Sequence, residues 1–166
     1  MKKNREFSKS TDSCLYESAE RDVTVVKTMK TQIGNIHYPL VFDIQSQQAI
    51  QILRPQLKQL LIEIAPTKVG CIEIVLNEAV NNGLRAGGSV VMTLRRRGDK
   101  LIVRVKDQGP GFDGNAKLER VGSDLYCYFD DNSGDCGRGL GIMKAFCNLV
   151  LYNRTGNEVL LIMEIK

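Results

Sequence analysis

Residues 89–97, SVVMTLRRR, and residues 100–107, KLIVRVKD, alternate apolar and polar side chains, with only Gly98-Asp99 between them. Alternation with period 2 gathers the apolar groups on one face of a pleated strand. A short Gly-containing link joins two such strands as an antiparallel hairpin. A hairpin with one apolar face needs a cover, and three segments offer one: IQSQQAIQILRPQLKQLLIEI, KVGCIEIVLNEAVNNGLRAGG and GRGLGIMKAFCNLV, each read as a helix. Pro55 inside the first should kink that helix or mark its true start. Gly87-Gly88 close the second. VTVVKTM and IHYPLVFDI read as strands at a sheet edge, and LVLYN with EVLLIMEI as a closing hairpin. The expected fold is an α+β two-layer sandwich, a mixed, mostly antiparallel sheet with helices on one face.

The 166 residues suffice for one compact domain. Residues 1–20 are polar and aperiodic and read as a flexible tail, leaving a single domain over 21–166. The net charge of +4 comes mainly from MKKNR and Arg95-Arg96-Arg97. There is no Trp, and no aromatics interleave with the basic residues, so direct nucleic-acid binding is not expected. The five cysteines form no C-x-x-C pair, and the single histidine, His37, is remote from them, which argues against zinc and for reduced thiols. No apolar run approaches the ~20 residues of a membrane span, and no apolar signal segment follows the basic N-terminus. A cytoplasmic protein is expected.

DQGPGFDG, residues 107–114, fits G-x-G-x-x-G after a strand. The dinucleotide reading of that pattern requires a helix opening on the glycines and a crossover to a parallel strand. The following FDGNAKLERVGSD shows no sustained helical stripe, so that reading fails, and a tight turn or a different nucleotide site stays open. Residues 112–136 read as a long loop, and a loop of that length in a compact domain is usually functional. DDNSGD lacks the register and final Glu of a calcium loop. Gly137-Arg138-Gly139-Leu140-Gly141 opens a helix, where free N–H groups favour an anion. In the second helix Glu78 and Asn82 are four residues apart and share one side, at the rim of the stripe Ile72, Val75, Leu76, Ala79 and Gly83.

EAVNN on a helix, DQGPGF after a strand and GRGLGI opening a helix occur in that order. Their order resembles the GHKL ATPase superfamily with its Bergerat fold, over roughly His37 to Lys166. Sensor histidine kinases usually carry Asn where Glu78 stands, and gyrase-type relatives continue into a second domain that supplies a lysine. Glu78 with Asn82, Phe112 after the first glycine box, and GRGL look most like the anti-sigma factor serine kinases. The resemblance implies an ATP- and Mg2+-dependent serine/threonine-protein kinase that sequesters a sigma factor and phosphorylates an anti-anti-sigma protein of the STAS type; a homodimer is also in keeping with such relatives. Two alternatives stay open: a catalytically weak, ATP-loaded binding switch, and a detached histidine-kinase-type catalytic domain. By the same resemblance, Asp107 would bind the adenine amine, Gly109, Gly111 and Phe112 would flank base and sugar, and Asn82 would hold Mg2+. Glu78 would be the catalytic base, and Gly137, Arg138, Gly139, Leu140 and Gly141 would surround the phosphates. Residues 112–136 would form a lid. Gly83 departs from the usual Ala, which could loosen the helix that carries Asn82.

Overall fold

The computed structural model describes residues 23–26, 39–121 and 138–166. The described strands form one six-stranded sheet in the order β1-β2-β3-β4-β6-β5. They are β1 (Val23–Val26), β2 (Leu40–Ile44), β3 (Val90–Arg97), β4 (Lys100–Asp107), β5 (Leu149–Tyr152) and β6 (Glu158–Glu164). The helices are α1 (Gln47–Ile64), α2 (Val69–Gly87), α3 (Gly114–Arg120) and α4 (Arg138–Phe146). The α+β sandwich is as expected. The sheet is not mixed: every pairing among the described strands is antiparallel.

The alternation in β3 and β4 does what its period requires. Val90, Met92 and Leu94 are buried with Leu101, Val103 and Val105 on the inner face, while Val91 and Arg104 look outward. Val159, Leu161 and Met163 of β6 extend that face. The helices cover it with matched stripes: Leu53, Leu57 and Leu61 from α1, and Ile72, Val75, Leu76 and Ala79 from α2. Each large aliphatic side chain so buried contributes on the order of 1.5–3 kcal/mol. α2 lies at the centre, touching α1, α4, β3 and β4, which makes it the element from which a site can reach several others.

Pro55 neither starts nor ends its helix. α1 opens at Ser46, whose hydroxyl caps the Ala49 N–H at 3.1 Å, and runs on through Pro55 to Ile64. Gln51 and Pro55 are both exposed, so water can serve the carbonyl that the proline leaves without its helical donor. α2 ends as its glycines suggest, with Gly88 left-handed at φ 74° and its N–H bonded to the Leu84 carbonyl.

A second departure is α3, which lies within the expected loop 112–136. Asp113 accepts a hydrogen bond from the Ala116 N–H at 3.0 Å and caps it. Leu118 anchors it in the core, and Lys144 of α4 donates to the Leu118 and Val121 carbonyls at its far end. A helix therefore does open on DQGPGFDG, yet the dinucleotide reading still fails, because the sheet around it is antiparallel. The remainder of the expected lid, the tail 1–20, His37 and Gly137 lie outside the described residues. Among the described residues no helix is long and apolar enough to cross a membrane, and Cys71 and Cys147 are unpaired. Burial pushes the Cys147 thiol up to about 12.

Candidate functional site

The site assembles on α2. Glu78 and Asn82, one turn apart, are both half-buried at the edge of its apolar stripe. Gly139, in the first turn of α4, is packed against them. A Cβ at Gly139 would stand 2.7 Å from Glu78 Oε2 and 3.1 Å from Asn82 Nδ2. The glycine is thus what lets the α4 N-terminus approach the carboxylate–amide pair. The first N–H groups of a helix lack intrahelical acceptors and carry the positive end of its dipole.

Beside this junction lies an open cleft of about 310 Å3, lined by Gln47, Glu78, Asn81, Arg85, Arg138 and Gly139. One carboxylate and two guanidinium groups thus share its walls, a composition suited to an anion whose attacking partner must lose a proton. Arg138 and Gly139 were expected here. Gln47, Asn81 and Arg85 were not. For Arg85 the spacing offered a signal, since residues three apart on a helix are neighbours: its Nη2 donates to Asn82 Oδ1 at 3.0 Å. Leu140, expected near the phosphates, is 4% exposed and packs in the core, so it can offer a ligand only its backbone. Gly141 is also buried.

The first glycine box lies further along the same helix. The Asp107 Cβ is 3.3 Å from where a Cβ on Gly83 would be, and Gly109 abuts Ala86. From Glu78 to Ala86 is eight residues, about 12 Å of helix axis at 1.5 Å each. Asp107 does not line the cleft beside Gly139. It forms a second neighbourhood, joined to the first by α2. Its Oδ1 accepts the Gly109 N–H at 2.7 Å. Burial raises its pKa above the ordinary 3.8, partly offset by that hydrogen bond. Tyr152 stands near it, its phenol pushed up to about 12 by burial first and by the Asp107 carboxylate second.

Backbone packing by itself calls for glycine at Gly109 and Gly111. A Cβ at Gly109 would be 2.6 Å from the Ala86 carbonyl oxygen, so it packs on α2. Gly111, at φ 75°, meets the Thr155 carbonyl in the turn between β5 and β6, and Gly156 of that turn, at φ 78°, meets Phe112. The space that a side chain would need is filled by backbone. Asn153 organises the facing turn by accepting N–H groups from Gly156 and Asn157. Phe112 packs edge-on against Tyr152 at 4.9 Å and carries the Lys117 ammonium 5.0 Å from its ring centre.

Among the described residues no cluster of three or more His, Cys, Asp or Glu could hold a metal by itself. A hard cation here would take oxygen from Asn82 and its remaining ligands from a phosphate chain and water. The donor set therefore fits a magnesium ion that arrives with a nucleotide.

Fold and site together define an ATP-binding domain of the GHKL class. The chain belongs to the family of histidine kinase-like ATPase domains, whose pattern matches residues 45–163. That span runs from the start of α1 to near the end of β6 and includes every described residue of the site. No individual curated protein matches the chain.

Proposed function

We propose that this domain is a protein-serine kinase of the anti-sigma type, one that holds a sigma factor and phosphorylates a serine on an anti-anti-sigma partner of the STAS class. The observation that carries the reading is Glu78: its carboxylate and the Asn82 amide both lie against Gly139, and Glu78 and Gly139 line the wall of an open cleft. A protein kinase needs a group at the phosphate end of its nucleotide that accepts or positions the proton of the attacking hydroxyl. In this reading the serine oxygen bonds to the γ-phosphorus, the bond from that phosphorus to the bridging oxygen breaks, Glu78 takes the hydroxyl proton, and ADP leaves. Arg138 and the N–H groups of the α4 start face the charge of the phosphates. Asn82 would hold Mg2+, which when bound neutralises part of the triphosphate charge. Asp107 would select adenine through its exocyclic amine.

The competing switch reading drew on the unusual lid, most of which lies outside the described residues, and on Gly83 as a residue that loosens α2. Gly83 is buried, and a Cβ there would meet Val90 and Asp107, so close packing accounts for the glycine and the kinase reading is the better supported. The test is incubation with Mg-ATP and candidate STAS partners. Phosphoserine on the partner is the expected result. Bound ATP without transfer, or acid-labile phosphate on histidine, would overturn it.

A further inference from the structure

Asn82 Oδ1, the oxygen assigned to the metal, already has a cationic partner, the Arg85 guanidinium, which donates to it from Nη2 at 3.0 Å. Arg85 also lines the cleft beside Glu78 and Arg138. An octahedral Mg2+ needs an oxygen at about 2.0–2.1 Å. A guanidinium on the same small amide oxygen would sit within a few ångströms of that ion, and two cations at that range repel. We propose that Arg85 and the metal compete for Asn82 Oδ1, so that Arg85 is a stand-in cation at the phosphate end of the site. Without metal, the guanidinium fixes the Asn82 amide with its Nδ2 towards Gly139 and keeps positive charge on the cleft wall. When metal arrives with the nucleotide, Arg85 gives up the oxygen. Arg85 therefore makes nucleotide binding less dependent on magnesium and raises the magnesium concentration at which the metal takes over. The inference rests on reading this cleft as the phosphate end of the ATP site.

Arg85 is exposed, so its replacement leaves the core untouched. The experiment measures the dissociation constants of a fluorescent ATP analogue in excess EDTA and across a magnesium titration at constant ionic strength. In Arg85→Met the ratio of the two constants, EDTA over saturating magnesium, should rise about tenfold, the effect of one lost charge contact. The magnesium midpoint should fall several-fold. In an Asn82→Ala background the same Arg85→Met change should leave the midpoint unmoved, because the contested atom is gone. If Arg85→Met leaves ratio and midpoint unchanged, or weakens binding equally with and without metal, the competition does not exist. If the native chain binds the analogue in neither condition, the ATP-site reading fails first and takes this inference with it.

Discussion

Substitutions at single residues of this site test the proposed roles one at a time. Glu78→Ala should leave ATP affinity within a few-fold and slow phosphoryl transfer by about 10²–10⁴, the usual range for a lost general base; equilibrium binding beside single-turnover kinetics checks both halves. Asp107 offers a pH test. Burial raises its folded pKa above 3.8, so the native state holds this proton more tightly than the unfolded chain. Its contribution to stability is therefore largest below the ordinary value and declines as pH rises through the raised one. Asp107→Asn keeps an acceptor for the Gly109 N–H but has no charge to bury. It should melt no lower than the native protein at neutral pH, lose that part of the pH dependence in acid, and lose adenine binding; thermal melts at several pH values and an ATP titration report on the two effects separately. That Glu78 and Asn82 share one side of α2 was legible from spacing, because a helix turn fixes where a side chain points; Asp107 was singled out by the family resemblance. Arg85 was equally within reach of spacing, three residues from Asn82. What spacing cannot supply is the neighbour of a glycine. Gly109 and Gly111 face Ala86 and Thr155, far away in the chain.

Among elements, α2 decides whether the two halves of the site keep their relation. It packs tightly on the sheet at Gly83, where a Cβ would collide with Val90 Cγ1. Gly83→Ala gains about 1 kcal/mol of helix propensity, yet overpacking of a filled core typically costs 1–3 kcal/mol. The variant should be destabilised, and Val90→Ala in the same chain should recover part of the loss, a coupling that denaturant melts of the four proteins in the cycle would measure. The turn facing Phe112 is equally constrained. Gly156→Ala places a side chain at φ 78° against the Phe112 backbone, so a loss of at least ~1–3 kcal/mol is expected, read as a lowered melting temperature. The sequence made the long elements plain, since β3, β4, α1 and α2 each repeat their period several times. It hid α3, which is short, buries one large side chain, Leu118, and depends on the Asp113 cap and on Lys144 from a distant helix. Of the two expectations for Pro55, the helix start fails for a related reason: a proline on an exposed helix face costs less than one whose freed carbonyl is buried.

At the scale of the molecule, one helix joins two neighbourhoods, and ATP binding should stabilise both. A ligand that binds only the folded state at a hundred times its Kd adds about 2.7 kcal/mol. The most direct measurement is a nuclear magnetic resonance titration of the uniformly 15N-labelled chain with Mg-ATP, following the backbone amides of Gly109 and Gly139. The expected result is that both move and that their shifts fit a single dissociation constant, with GTP failing to reproduce it. If Gly139 responds while Gly109 stays still, or if the two titrate with different constants, the carboxylate–amide cleft and the aspartate turn do not serve one nucleotide.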